Sequence, residues 1–579
     1  MKKTIPYGVS DYEELIRDNA YFVDKTKYIK FLESIKNPIF LRPKRFGKSM
    51  FCRILDCYYN ITKKNDFKKF FGKTYIGKKP TPNKNSFFIL HLDFSTINPS
   101  GSLKDIEEDF NHTCNIQLKG ILNRYSKWFQ NMISLNENKS AIYNLKTILG
   151  AISSTNLPSL FVIIDEYDNF ANKLIVSNKK NLYSYLMDDD SFFKVFFKTL
   201  KQGRKEGQIF NVFITGVLPI AIDDLSSGFN IGTIITLEPM FENMLGFTQS
   251  EVDTLLDEIF NDYKLDPSTR NEVNDIIKNQ YNGYNFVSTE SDAIYNSSIL
   301  MYFLRWLCTY KSIPEHLTDL NLKTELSWVK ILTGRNIENT EEFVWQLTST
   351  NSINYDKNYL VSKFNMSQFF EKSFFPVSFF YLGMLTKKDD FTLKLPNLNM
   401  HKIFVEYFNE LNQIDVSTRY SEIMQRFVND LNLHALFDGY WKEYISQLPE
   451  AIFQQVNENF YRTTFYELCS RFLSKWFTWN VERSYPKGKT DLEFVGKYNE
   501  KHAGIRIVIE FKYYSNAKLK KQKINIEKFQ LQKKDTIQIQ GYSQCLKNEY
   551  PNSKISKYVI YCFGNKGFKV FDYVDNQNL

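Results

Sequence analysis

The sequence predicts an α/β chain in three parts, and three observations predict it. Its 579 residues are too many for one hydrophobic core. Up to about residue 240, short β-rich apolar runs alternate with helical stretches, as in a parallel sheet joined by crossover helices. The texture is then helical to about residue 450, and beyond it strand and helix mix again. The expected parts are therefore 1–240, 241–450 and 451–579.

Composition narrows the classes. Hydrophobic residues are 43% and charged residues 24%, ordinary for a globular chain, which excludes disordered, collagen-like and coiled-coil readings. No apolar run reaches the roughly 18 residues a membrane span needs; the longest candidate, Phe374 to Leu385, is too short and is interrupted by Ser378. The first residues turn acidic and polar where a signal peptide is apolar, so an intracellular site, cytoplasmic or nuclear, is expected. The seven cysteines are dispersed without a Cys-x-x-Cys pair, and the six histidines show no His-x-x-x-His spacing. A disulfide scaffold or zinc knuckle is not expected, and a reducing interior fits. Net charge is +9, but from Ser515 to Lys534 seven lysines stand against Glu527 alone, a stripe that is either a solvated face or a surface for phosphates.

In the first part, the strands expected are Pro38 to Leu41, Ser86 to Asp93, Leu160 to Asp165 and Asn211 to Thr215. Ligands of open parallel sheets bind where such strands end. The first strand runs into Arg42-Pro43-Lys44-Arg45-Phe46-Gly47-Lys48-Ser49, followed by a helix with Met50, Ile54, Leu55 and Tyr58 on one face. Strand, tight loop, Gly-Lys-Ser and helix form the setting of a phosphate-binding loop. Residues Arg45 to Ser49 would cradle the phosphates of ATP: backbone N–H groups face the oxygens, Lys48 neutralises the β and γ phosphates and Ser49 holds Mg²⁺. Arg42, Lys44 and Arg45 add charge, with Arg42 standing where the full pattern has glycine. The third strand closes on Asp165-Glu166, either an ordinary helix N-cap or a Mg²⁺-holding aspartate beside a glutamate that polarises water. The fourth ends on Thr215, either a γ-phosphate sensor or an ordinary strand-end threonine.

These segments, with Ile5-Pro6-Tyr7-Gly8, Tyr21 to Thr26, Ile164 to Asp168 and Thr215-Gly216-Val217, resemble the AAA-ATPase-like family. The resemblance implies a P-loop NTPase fold, and the family carries arginine at the Arg42 position. It also implies frequent fusion to a C-terminal PD-(D/E)XK-type nuclease. Many members have an arginine soon after Thr-Gly-Val; this chain has Leu218-Pro219-Ile220 there, which puts an arginine trigger at that spot in doubt. Tyr281 to Phe286 and Tyr295-Asn296 resemble a motif of the family's helical region, its aromatics read first as core.

In the last part, Phe465, Leu468, Phe472 and Trp476 recur at helical spacing, followed by strands Asp491 to Val495, Ile505 to Lys512 and Tyr558 to Phe563, with a basic helical stretch to about Lys547. Strand periodicity puts Glu510 and Lys512 on one face and Phe511 on the other. Asp491 and Glu510 are a hard-oxygen pair for Mg²⁺, with Lys512 beside them to stabilise phosphorane charge; the same three residues could equally form a cross-strand ion pair. The pattern resembles the PD-(D/E)XK nuclease superfamily and implies a restriction-endonuclease-like fold, although Lys489-Thr490 precedes the aspartate where proline is usual. Gln538 to Tyr542 resembles the Gln-x-x-x-Tyr element of its RecB-like branch, which makes Gln538 a site residue. The resemblance also implies a further acid on the preceding helix, for which Glu467 is the candidate.

The function expected is ATP binding and hydrolysis with Mg²⁺-dependent, NTP-regulated phosphodiester cleavage, on DNA rather than RNA and without a membrane. The alternative is an ATP-driven switch or partner-binding module whose nuclease-like fold does not cut. Oligomeric state is not legible.

Overall fold

The computed structural model describes residues 2–130, 132–169, 174, 180–186, 188–219, 229–319, 337–361, 366–369 and 371–574. Ile220, part of the departure noted after Thr-Gly-Val, lies outside them. The chain packs as two units, each built from separated segments: 1–258, 284–301 and 354–393 in the first, 259–283, 302–353 and 394–579 in the second.

The first unit is built on a five-stranded sheet. Its strands are β1 (Pro38–Leu41), β2 (Phe88–Asp93), β3 (Leu160–Asp165), β4 (Ile209–Gly216) and β5 (Thr233–Ile234), in the order β2-β3-β4-β1-β5. Every pairing is parallel. β1 and β3 are buried along their whole length, which is why both read as unbroken apolar runs. β4 lies between the strand that leads into Gly-Lys-Ser and the strand that delivers Asp165. All three therefore present their carboxyl ends side by side, where such sheets bind ligands. Helix α1 (Lys48–Tyr59) starts directly from the loop after β1, with Phe51, Ile54, Leu55 and Tyr58 buried.

The middle of the chain is helical, as expected, with Gln249–Tyr263, Arg270–Tyr281, Ser297–Tyr310, Leu398–Leu411, Ser421–Asp430 and Leu433–Glu443 among its helices. Among the described residues, no helix is long and apolar enough to cross a membrane.

The second unit contains the C-terminal α/β module. Helix α2 (Glu458–Leu473) precedes β6 (Phe477–Val481), the hairpin β7 (Ser484–Tyr485) and β8 (Gly488–Lys489), β9 (Leu492–Gly496) and β10 (Ile505–Tyr514). Then follow α3 (Asn516–Gln522), α4 (Lys533–Glu549), β11 (Lys554–Phe563) and β12 (Gly567–Tyr573). The sheet order is β12-β11-β10-β9-β6, with β10 and β11 parallel and the other pairs antiparallel. Two expectations need correction. Helix α2 ends at Leu473, so Trp476 lies beyond the face assigned to it. The lysine stripe is not one helix: α3 stops at Gln522, and Ile524, Ile526, Phe529 and Leu531 pack an irregular segment onto the module's core before α4 begins. Those anchors are spaced two, three and two residues apart, which does not make one helix face.

Candidate functional site

The loop after β1 is shaped by two left-handed residues, Arg45 at φ 71° and Gly47 at φ 96°. Nothing crowds a Cβ at Gly47, so glycine is needed there for its φ alone. The loop's carbonyls are held from the helical region: Asn296 Nδ2 donates to Lys44 O at 3.3 Å, and Ser297 Oγ to Arg45 O at 3.2 Å. Phe46 stands edge-to-face on Tyr284 at 5.1 Å and on Phe286 at 5.5 Å. Tyr284 and Phe286 of the motif are core, and in this unit that core is the floor of the loop.

Lys48 is buried, with Nζ donating to the Arg42 and Pro43 carbonyls at 3.0 and 3.1 Å. Burial pulls its pKa down, against the charges of Asp165, Glu166 and Asp168. Asp165 is also buried; desolvation pushes its carboxyl up, while a hydrogen bond from Ser49 and the Lys48 charge pull the other way. Ser49, Lys48 and Asp165 thus meet at one point. The hydroxyl and carboxylate are a hard-oxygen pair that fits Mg²⁺, and a buried ammonium beside them fits a phosphate. Glu166 follows in a left-handed conformation at φ 48°, its carboxylate accepting from Asn169 Nδ2.

Arg42, Phe46 and Thr215 make contacts that the sequence did not show. Arg42 is buried, its guanidinium donating to the carbonyls of Leu41, Thr236 and Glu242 and lying over the Phe40 and Phe286 rings. Burial lowers its pKa to about 9, and it braces the strand end rather than adding charge for phosphates. Phe46 contributes its backbone to the loop while its ring packs below. Thr215 Oγ1 donates to Phe40 O at 2.8 Å, across the sheet. Tyr167 and Asp168 belong to the Ile164 to Asp168 motif, but sequence reasoning assigned them no role. Asp168 accepts from Val217 N and Leu218 N, the latter at 2.7 Å, and Tyr167 Oη donates to Leu218 O. Together they fix the segment after β4.

In the second unit, β9 and β10 pair with Leu492 opposite Ile509, which brings Asp491 to the Glu510 end of β10. Asp491 Oδ2 accepts from Phe511 N at 2.8 Å. Lys512 Nζ lies 3.9 Å from Asp491 Oδ2 and 3.5 Å from Glu510 Oε2. From α4, Gln538 Nε2 donates to Glu510 Oε2 at 2.6 Å and Tyr542 Oη to Glu510 Oε1 at 2.8 Å. Residues four apart on a helix share a face. Gly541 between them lets α4 approach the hairpin, since a Cβ there would stand 2.5 Å from Lys487 O. All four expected residues, Asp491, Glu510, Lys512 and Gln538, are brought together.

Burial, and then the Asp491 charge, push the Glu510 carboxyl up to about 9. A buried carboxyl whose ionisation is opposed by burial and by a second carboxylate beside it is suited to a divalent cation, and both residues are hard-oxygen donors. Lys512 is shifted up: burial alone would lower it, but Asp491, Glu458 and Glu510 outweigh that. A testable consequence follows from Glu510. Below about pH 9 its site holds a proton that a cation must displace, so Mg²⁺ affinity should climb as pH rises and level off above that point. Calorimetry at pH 7 in buffers of different ionisation heat should show about one proton released per ion bound; no release would contradict this protonation state.

Of the two acids on the preceding helix, Glu458 feels the charges of the cluster and Glu467 does not. Glu467 is fully buried, paired with Arg471 and with Asn409 Nδ2 at 3.5 Å, away from the cluster. Glu458, in the first turn of α2, has its carboxyl raised to about 7, chiefly by burial, with Lys512 and Asp491 the charges that act on it most. Glu493 is the other residue missed. It is fully buried and accepts from Asn480 Nδ2 at 2.9 Å, Tyr485 Oη at 2.8 Å, Thr490 Oγ1 at 2.7 Å and Arg506 Nη1. These bonds tie the hairpin to the start of β9 and so fix where Asp491 begins.

Two protein-family models match the chain. One, described as a predicted AAA-ATPase, covers residues 6–226. The other, the PD-(D/E)XK nuclease superfamily, covers residues 456–572. No curated protein matches it.

Proposed function

We propose that this chain, which joins an AAA-ATPase-like domain to a PD-(D/E)XK nuclease superfamily domain, binds and hydrolyses ATP at the first and cuts DNA at the second, with nucleotide state regulating the cut. The observation that carries the reading is the cluster of Asp491, Glu510 and Lys512, with Gln538 and Tyr542 both bonded to Glu510. When bound, Mg²⁺ would supply a water of lowered pKa and charge for the scissile phosphate. Asp491 and Glu510 would hold it, and Lys512 would face the phosphorane charge. Gln538 and Tyr542 hold the Glu510 carboxylate at a fixed orientation, as outer partners of a ligand do. The lysines at 518, 520, 521, 523, 528, 533 and 534 are exposed and provide a surface for a phosphate backbone.

At the other site, Lys48 and the loop N–H groups would bind phosphates, Ser49 and Asp165 the Mg²⁺, and Glu166 would polarise the attacking water. Glu166→Gln is expected to keep ATP bound while slowing hydrolysis by about 100-fold or more, because an amide cannot accept the water's proton. Wild-type turnover in that variant would remove Glu166 from the reaction.

The reading as a whole is tested by nicking of supercoiled plasmid by the full chain with Mg²⁺, with and without ATP. Cleavage that depends on metal and changes with nucleotide is expected. A protein that binds DNA but never cuts it, with ATP and either Mg²⁺ or Mn²⁺, overturns the nuclease and leaves the ATP-driven switch.

A further inference from the structure

A second set of metal-type donors lies beneath the nucleotide loop. Cys52 is on α1, three residues past Ser49. His91 is on β2, opposite Ile163 of β3, so it shares a face with Asp165, which lies two residues further along. Helix α1 packs on both strands. One donor atom from each of Cys52, His91 and Asp165 lies within 4.8 Å of the other two. On the next turn of α1, Asp56 Oδ2 is 3.8 Å from His91 Nδ1, beyond hydrogen-bond reach, and Asp56 is itself bonded by Asn60 Nδ2 at 3.0 Å. Closing that gap would orient the imidazole, as a carboxylate behind a metal-binding histidine does. A thiol, an imidazole and a carboxylate from three elements make a three-ligand set with an open fourth position. That set suits Zn²⁺ or Co²⁺ and not the oxygen-demanding Mg²⁺.

We propose that Cys52, His91 and Asp165 bind a thiophilic divalent cation, Zn²⁺ above all. Binding replaces the Cys52 S–H proton with the metal, and the proton leaves to solvent. Because Asp165 belongs to both sets, a filled site takes the carboxylate that the Mg²⁺ of ATP needs, and turnover stops. Only this last clause rests on the nucleotide reading above.

The test uses the full chain without nucleotide and Co²⁺ as the probe. One equivalent of Co²⁺ should give a thiolate-to-cobalt charge-transfer band that Zn²⁺ displaces. The band should persist in Cys57→Ser, disappear in Cys52→Ser, and require at least about tenfold more Co²⁺ in His91→Gln. Matched thermal unfolding checks that the variants fold, and His91→Gln carries the test if Cys52→Ser does not. No band in the wild type, or a band unchanged by Cys52→Ser and His91→Gln, overturns the site. Zn²⁺ should then inhibit ATP hydrolysis by the wild type and spare Cys52→Ser. If the chain hydrolyses no ATP, the nucleotide reading fails while the cobalt band still decides the metal site.

Discussion

Asp491→Ala, Glu510→Ala and Lys512→Ala are each expected to reduce Mg²⁺-dependent cleavage by about three orders of magnitude or more, since each removes charge at the point where charge develops. The three losses have different origins. Asp491 is both a candidate ligand and the acceptor for Phe511 N, so Asp491→Asn, which keeps that bond, separates chemistry from local structure. Glu510→Ala leaves Gln538 and Tyr542 without their shared acceptor, whereas Glu510→Gln keeps one, resembles the protonated carboxyl and can no longer ionise for a cation. In the absence of metal, Glu510→Gln should therefore unfold at a temperature no lower than the wild type and lose any Mg²⁺-induced rise in that temperature. Lys512→Ala should still bind DNA at low salt, more weakly, because the exposed lysines beyond β10 remain. A gel-based cleavage assay beside a binding titration reads all of these; cleavage by Asp491→Asn at the wild-type rate would remove that residue from the site.

Lys48→Ala is expected to abolish ATP binding at the first unit. The ammonium now donates to two carbonyls of its own loop, at 3.0 and 3.1 Å, a resting arrangement that phosphate oxygens would replace. Two charge-assisted bonds at about 1.5–3 kcal/mol each place the loss at about 100-fold or more in affinity. Burial already disfavours the charged lysine, so its removal should not weaken the fold through lost charge. Calorimetry with ATP, beside thermal unfolding, distinguishes a lost ligand contact from a lost structure. Unchanged affinity in a folded Lys48→Ala protein would end the phosphate-loop assignment.

The sequence was most legible where a strand is buried on both sides. Leu160 to Asp165 and Ile505 to Lys512 read as apolar runs because both faces of each are covered, and the polar residues at their ends stand out against that background. The edge strand β12 is half-exposed along most of its length and carries no such contrast, so it was missed. Glu458 was passed over because an acid in the first turn of a helix is favoured by the helix dipole in any case, which hides a site residue among ordinary ones. Glu467 was the candidate instead because the family resemblance implies an acid on that helix, yet its position is core, where Arg471 pairs with it. Thr215 and Arg42 show the limit of motif reading. Residue type and spacing locate the strand ends, but which way a hydroxyl or guanidinium bonds depends on partners such as Phe40 and Thr236, far away in sequence. The split of the helical middle between two units is invisible for the same reason.

Glu493 has an implication for how such a domain would age. Asp491 can be lost with less harm to folding, since its side chain accepts one backbone bond and otherwise makes the longer ion pairs to Arg462 and Lys512 at 3.8 and 3.9 Å. Glu493, two residues on, accepts from four buried or half-buried donors, and its removal would leave several of them unsatisfied at about 1–3 kcal/mol each. Drift after loss of catalysis would therefore erase Asp491 and Lys512 first and spare Glu493. A descendant that keeps Glu493, Tyr485 and Arg506 but not Asp491 would be a retired nuclease still wearing its scaffold, whereas this chain holds both sets together.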